Sequence, residues 1–308
     1  PWVFGEWPLE LESARWAETL ASALPKPLHE LGVERARAVS VGHSEATPSV
    51  AAVVDLSVHT SAGEVPIRVY RPVEGNRLPV VLQMHGGGWT LGGLEGGDQM
   101  CRQLCLSAGC VVIAIDYPLA PEHAFPTALE CCYDVMQWVV RSERELGIDP
   151  DRIAVIGDSA GGNLAAALAI LCRDRMGPRI RAQALAYPVV RQTQPGDDVA
   201  WARSPLLDRG DIDWFWDVYG APADPADARA YPLAGPLAGL PSTLVILAEI
   251  DPLREQGVQY AQALSEAGVQ VSAIEYGGVF HGFFPRPAIS PSALDAIEEV
   301  GAFLRATV

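Results

Sequence analysis

Ser159 stands at the centre of Gly157-Asp158-Ser159-Ala160-Gly161, between a short apolar run at 152–157 and an alanine-rich stretch at 164–172. Together these read as strand, sharp turn and helix, with the serine hydroxyl presented at the apex. So tight a turn leaves no room for side chains two places to either side of the serine, which accounts for Gly157 and Gly161. The helix that begins there aims its free N–H groups and the positive end of its dipole at whatever bonds to the serine oxygen. A serine so held can do nucleophilic acyl chemistry. That chemistry needs three further parts: a base, an acid that orients the base, and donors for an oxyanion.

His281 is the only one of the six histidines that follows Ser159, and this kind of turn uses the chain order serine, acid, histidine. It lies in Gly277-Gly278-Val279-Phe280-His281-Gly282-Phe283-Phe284, read as a glycine-flanked loop beyond a strand at 271–276. The acid should follow a strand between the two, and 243–249 ends in Glu249-Ile250-Asp251-Pro252-Leu253-Arg254. A carboxylate in the loop past that strand can reach the imidazole N–H, so Asp251 is favoured over Glu249 within the strand end. The competing role for Asp251 is to cap the helix that Pro252 opens. His85-Gly86-Gly87-Gly88-Trp89 directly follows another apolar run, at 79–85. Bare glycine backbone would let the Gly87 and Gly88 N–H groups, with that of Ala160, supply three oxyanion donors. The same glycines could cradle phosphate, but the Lys-Ser/Thr of a phosphate loop is absent.

The elements that must hold these residues alternate. Residues 50–60 and 65–71 read as an antiparallel pair turning at Ala62-Gly63, and 79–85, 110–116, 152–157, 182–187, 243–249 and 271–276 as buried strands. Helical patterns fall between them at 97–108, 125–146, 160–173, 254–267 and 291–306. Eight mostly parallel strands covered on both faces follow, with the first pair as the antiparallel edge. Two regions break the rhythm. Residues 1 to about 45 read as helices, with 9–24 ended by Pro25 and Pro27, and 190–237 carries a helical pattern at 206–219 with Trp214, Phe215, Trp216 and Tyr219. These two regions are expected to form a lid over the carboxyl ends of the strands. The lid would comprise 1–45 and 190–237, on a core of 46–189 and 238–308. Trp214 and Phe215, with Trp89 and Asp158, are the candidate walls of a substrate pocket. Packing within the lid is an equal reading for Trp214 and Trp216.

At 308 residues, 49% hydrophobic and 19% charged, the chain can fill one large α/β domain or two small ones. A formal charge of −16 disfavours nucleic acid and anionic membrane surfaces as partners and mildly favours neutral or cationic substrates. The six cysteines form no Cys-x-x-Cys pair and do not gather with histidine at metal-ligand spacing. No metal is expected, and the thiols read as buried and reduced. The longest apolar run, 164–172, is too short for membrane insertion. The first residues lack the basic-then-apolar layout of a signal peptide, which leaves the cytoplasm as the expected compartment and a leader removed before Pro1 as an open question.

Five stretches resemble, in order, the landmarks of the bacterial hormone-sensitive-lipase-like esterases, an α/β-hydrolase family. They are His85-Gly86-Gly87-Gly88-Trp89, Asp116-Tyr117-Pro118-Leu119-Ala120-Pro121-Glu122-His123, Gly157-Asp158-Ser159-Ala160-Gly161-Gly162-Asn163, Asp251-Pro252-Leu253-Arg254 and His281-Gly282-Phe283. The likeness spans about residues 50–308. It implies an α/β-hydrolase fold, a mostly parallel eight-stranded sheet flanked by helices, with a helical cap. It also implies hydrolysis of small-molecule short- to medium-chain acyl esters through Ser159, His281 and Asp251, without a cofactor, and it allows a homodimer. By the same likeness His85 and residues 116–123 brace the oxyanion loop. Asp158 is the family's common variant beside the nucleophile, and a hydrogen bond within the turn is favoured for it over a direct effect on substrate choice. Pro118 departs from the pattern, standing where the family usually has arginine, so a bracing contact is expected to be missing. Plant hormone receptors that resemble this family lack the histidine, which this chain keeps. Amidase, lactonase and thioesterase activities on the same three residues stay open.

Overall fold

The computed structural model describes residues 9–24, 26–39, 47–192, 194 and 204–308. The parts of the helical and lid readings that fall on 1–8, 25, 40–46, 193 and 195–203 lie outside them. Eight strands form one sheet: β1 (Ala52–Thr60), β2 (Gly63–Arg71), β3 (Leu78–Met84), β4 (Val111–Ile115), β5 (Ile148–Asp158), β6 (Ile180–Ala186), β7 (Ser242–Ile250) and β8 (Val271–Phe280). Their order is β1-β2-β4-β3-β5-β6-β7-β8. β2 runs antiparallel to β1 and β4, and every later pairing is parallel. The central strands are nearly unbroken apolar runs because helices cover both faces.

The helices α4 (Leu94–Ala108), α5 (Thr127–Arg141), α6 (Glu143–Leu146), α7 (Ala160–Asp174), α9 (Arg254–Glu266) and α10 (Pro291–Thr307) make those layers, with α8 (Arg209–Tyr219) in the insertion. Travel across the sheet reverses after β4. Right-handed crossovers therefore put α4 on one face and α5, α7 and α9 on the other. α10 packs on α4, and α5 packs on α7, in keeping with this. The alanines of α7 let it lie close against β5, and all its residues from Ala160 to Cys172 are buried. The reversal also creates a crevice beyond the carboxyl ends of β3 and β5, the usual ligand position in an open α/β sheet. Met84 and Gly157, the last paired residues of those strands, are neighbours there. The glycine loop and the serine turn therefore leave the sheet side by side.

Three boundaries differ from expectation for identifiable reasons. The helix expected at 125–146 ends at Arg141, where Ser142 leaves helical geometry, and α6 then stops at Gly147 with φ 59°. The helix expected at 206–219 starts at Arg209. There the Asp208 carboxylate accepts the Asp211 N–H at 2.8 Å while Asp211 accepts the Asp208 N–H at 3.2 Å, a reciprocal cap. β8 runs four residues past Tyr276, to Phe280, because the β7–β8 register shifts between Ala248 and Ile250. Gly278 takes φ 70° in the extension, and its N–H is bound by the Glu249 carboxylate at 2.7 Å. α1 (Leu11–Ala23), α2 (Leu28–Leu31) and α3 (Val33–Ala38) precede the sheet, and α2 packs on α8. Among the described residues, no helix is long and apolar enough to cross a membrane.

Candidate active site

β5 ends at Asp158, α7 begins at Ala160, and Ser159 between them has φ 55° and ψ −119°. That conformation is strained for a residue with a side chain and persists only where the surroundings enforce it. Here the Ser159 N–H donates to Ala186 O at 2.9 Å, and Ser159 O accepts the Asn163 N–H at 3.0 Å. A Cβ on Gly161 would sit 2.1 Å from Met84 O, and one on Gly157 would sit 2.1 Å from Gly161 O. Both glycines are therefore demanded by main chain, which cannot move aside.

Ser159, His281 and Asp251 are brought together in one hydrogen-bonded line. Ser159 Oγ lies 3.0 Å from His281 Nε2, and His281 Nδ1 lies 2.7 Å from Asp251 Oδ2. All three are buried. The arrangement assigns the ring proton to Nδ1, donating to the carboxylate, and leaves Nε2 to accept from the serine hydroxyl. Asp251 Oδ1 accepts the Leu253 N–H at 2.7 Å, so one carboxylate serves both the imidazole and the turn into α9. Glu249, the alternative acid, spends its carboxylate on Gly278. Tyr187 packs on the His281 ring at 4.6 Å between centroids, and its hydroxyl accepts the Phe284 N–H at 3.1 Å. Trp16 of α1 stacks on Phe280, the residue before the histidine, at 4.4 Å. Neither aromatic was singled out by sequence, since nothing local marks a partner so far along the chain.

The glycine loop after β3 is braced from several directions. Tyr117 stacks on His85 at 4.2 Å and donates its hydroxyl to His85 O at 2.7 Å. His85 Nδ1 lies 2.8 Å from Gly86 O, and burial pushes the ring's pKa down to about 4, so the imidazole is neutral. The Gly86 N–H donates to Asp158 Oδ1 at 3.0 Å, and burial raises that carboxyl to about 6. Gly87 O accepts the N–H groups of Thr90 and Leu91, at 3.1 and 2.8 Å. The Gly87, Gly88 and Ala160 N–H groups make no hydrogen bond with any described residue.

The four candidate pocket residues fall in different surroundings. Phe215 of α8 lies against Gly88, so close that a Cβ on that glycine would be 2.0 Å from its ring. Trp214 is half-buried and packs on Phe215 at 4.8 Å between centroids. Asp158 is buried beneath the glycine loop. Trp89, expected as a wall, is only 1% exposed and fills the joint with α8, stacked on Tyr219 at 4.3 Å and tilted against Trp216 at 4.5 Å. In this position it packs against α8, the first element that the residue past the glycines meets.

Among the described residues one group, His29, Asp208 and Asp211, brings three potential metal-ligand atoms within 4.8 Å. Its carboxylates are already engaged: the aspartates cap α8, and Asp211 Oδ1 accepts both the N–H of His29 and, at 2.9 Å, its Nδ1–H. The group sits at the α2–α8 contact and is read as a helix cap.

A family model described as alpha/beta hydrolase fold matches residues 81–285. A carboxylic ester hydrolase of Mycobacterium tuberculosis, LipN, is 41% identical over 263 residues, covering 82% of this chain and 70% of that protein. An ethyl acetate hydrolase of Pseudomonas putida is 36% identical over 284 residues, covering 87% and 88%. Among solved structures, a thermostable esterase from Pseudomonas putida ECU1011 superposes with a TM-score of 0.90 at 33% identity, covering 98% of each chain. An esterase of Pyrobaculum calidifontis superposes with a TM-score of 0.81 at 36% identity, covering 96% and 94%.

Proposed function

Since the chain belongs to the hormone-sensitive-lipase-like esterases of the α/β-hydrolase fold and is a carboxylic ester hydrolase, we propose that it cleaves short- to medium-chain acyl esters by way of an acyl-enzyme on Ser159. His281 Nε2 takes the hydroxyl proton as Ser159 Oγ attacks the ester carbonyl. Asp251 holds the ring in the required tautomer and balances the imidazolium. The Gly87, Gly88 and Ala160 N–H groups receive the oxyanion, each such donor being worth on the order of 3 kcal/mol. The imidazolium then protonates the departing alcohol, and water repeats the sequence on the acyl group.

The observation that carries this reading is the Asp251–His281–Ser159 line at 2.7 and 3.0 Å, and it is supported by the three amides at Gly87, Gly88 and Ala160 that no described residue engages. The preference for a small acyl group is supported by Phe215, which crowds the oxyanion loop at Gly88, and by the name of the relative that hydrolyses ethyl acetate. We assign 1–45 and 190–237 to a cap and the remainder to the catalytic core. The support is that α8 sets Phe215, Trp216 and Tyr219 on the loop while α2 is tied to its first turn. The six buried, unpaired cysteines favour a reducing, cytoplasmic compartment. The test is a series of p-nitrophenyl esters from acetate to palmitate with wild type and Ser159→Ala. Turnover is expected to peak at the short end and to vanish in the variant. A folded Ser159→Ala protein with more than a trace of turnover removes Ser159 from the mechanism, and a maximum at palmitate removes the chain-length assignment.

A further inference from the structure

Arg37, on α3, reaches across to the glycine loop from outside the catalytic sheet. Its Nε donates to Thr90 O at 2.9 Å and its Nη2 to Ala120 O at 2.8 Å. Nη1 and Nη2 each meet the Glu122 carboxylate at 2.8 Å. Thr90 is the residue on which the loop closes. Its N–H donates to Gly87 O, and its hydroxyl donates to Gly88 O at 2.9 Å. Ala120 is the residue to which the loop is laced, since its N–H donates to Trp89 O at 2.8 Å. One planar guanidinium thus spans both sides of that lacing. Within the segment that follows β4, Pro118 has no donor to offer, so the bracket comes from a distant helix.

We infer that Arg37 is a positioning residue for the oxyanion donors, holding the Gly87 and Gly88 amides in register through Thr90 and Ala120. The inference rests on the proposed role of those amides. It follows from how sharply oxyanion stabilisation depends on donor placement. Thr90 holds Gly87 O, whose peptide plane carries the Gly88 N–H, and Gly88 O on the next plane, so a shift at its carbonyl reaches the Gly88 amide directly and the Gly87 amide through the Gly87 Cα. The two carbonyl contacts do this work. Glu122 is 56% exposed, and an ion pair so open to water adds little. Lysine cannot substitute, because a single ammonium cannot span two carbonyls in a fixed fork.

The experiment measures kcat and KM on p-nitrophenyl butyrate, and Ki for a trifluoromethyl ketone transition-state analogue, for wild type, Arg37→Ala, Arg37→Lys and Glu122→Gln. Circular dichroism gives the folded fraction. In Arg37→Ala kcat is expected to fall about 10- to 100-fold with KM within about twofold, and Ki to rise by the factor lost from kcat. Arg37→Lys should follow it and Glu122→Gln should stay near wild type. Millimolar guanidinium should restore part of the kcat lost in Arg37→Ala. The inference is overturned if kcat in both Arg37 variants stays within about twofold of wild type, if loss tracks only the folded fraction, or if Glu122→Gln is as impaired as Arg37→Ala. Should Arg37→Ala not fold, Arg37→Lys alone decides between these outcomes. A wild-type protein without turnover would sink the mechanism of the preceding section and this inference with it, whereas an active wild type with unimpaired Arg37 variants sinks this inference alone.

Discussion

The floor of the site and its proposed roof are built on different principles. The floor is fixed by main chain: Ser159 at φ 55°, glycines whose missing Cβ atoms would strike carbonyl oxygens, and a glycine loop leaving the adjacent strand. The roof is fixed by side chains: Phe215 on Gly88, Trp216 and Tyr219 on Trp89, Arg37 on Thr90, and His29 on Asp211. Main chain at strand ends has one arrangement, so few residue types can occupy the floor. Side-chain contacts can be exchanged without disturbing the sheet, so the proposed cap is where substrate preference is expected to vary. Changes in the floor, and at Arg37, the one roof contact that grips the oxyanion loop itself, should therefore register in kcat, and changes elsewhere in the roof in KM and in acyl-length preference.

The largest effect expected is that of Asp251→Asn, which should lower kcat about 10⁴-fold by favouring the wrong histidine tautomer. The asparagine oxygen can still accept the Leu253 N–H, so the unfolding midpoint should barely move. Near-normal kcat would remove Asp251 from the mechanism. Next comes Gly88→Ala, the position where floor and roof touch. Its φ is +60°, and the added Cβ would lie 2.0 Å from the Phe215 ring. A loss of about 10²-fold in kcat is expected as the amide is displaced. Adding Phe215→Ala should recover part of it, because the obstacle is a side chain that can be removed. Gly161→Ala permits no such rescue, since its obstacle is Met84 O. Failure of the double variant to recover any activity would mean that backbone strain alone governs Gly88.

The same contrast explains what was legible in the sequence. The floor is written in local signals, because a strand–turn–helix serine needs glycines at fixed offsets and a bare loop announces itself. Residues 85–89, 157–161, 251 and 281 could thus be picked out without coordinates. The roof is not so written. Arg37 meets partners 53, 83 and 85 residues away, and a lone arginine in a short helix carries no mark of that. Tyr187 and Trp16 likewise acquire meaning only when folding sets them against His281 and Phe280. The packing of Trp89 on Trp216 and Tyr219 is also not legible, because its position in the motif says nothing about what packs above it. The end of β8 was missed because Gly277 and Gly278 look like loop, whereas a bulge in the neighbouring strand keeps them in the sheet.

Protonation separates the two regions further. In the floor, burial raises the Asp158 carboxyl to about 6, so the folded state holds that proton more tightly than the unfolded chain does. Stability from this group is fully present below the ordinary carboxylate range and is lost as pH rises through about 6, by on the order of 2–3 kcal/mol. Asp158→Asn keeps an acceptor for the Gly86 N–H but does not titrate. Its unfolding midpoint should therefore gain on wild type between pH 4 and 7, with parallel profiles counting against a buried charge.

In the roof the titrating group is His29, whose pKa is raised chiefly by its hydrogen bond to Asp211, against an opposing effect of burial. Asp208 and Glu30 face it as well and act in the same direction. Burial also holds the Asp211 carboxyl above its usual range despite that hydrogen bond, so the imidazolium offsets a charge that is poorly solvated. The sign follows from the upward shift. The contribution of His29 is complete below its ordinary value of 6.5 and is lost as pH rises through the higher folded-state value. With the side chain 32% exposed, the effect should stay below about 1 kcal/mol. His29→Gln should therefore lower the unfolding midpoint slightly at pH 5.5 and match wild type at pH 8.5. Because α8 carries Phe215, loosening its first turn should raise KM and leave kcat alone. A fall in kcat at constant KM would mean that this contact reaches the floor, and the division between the two regions would fail.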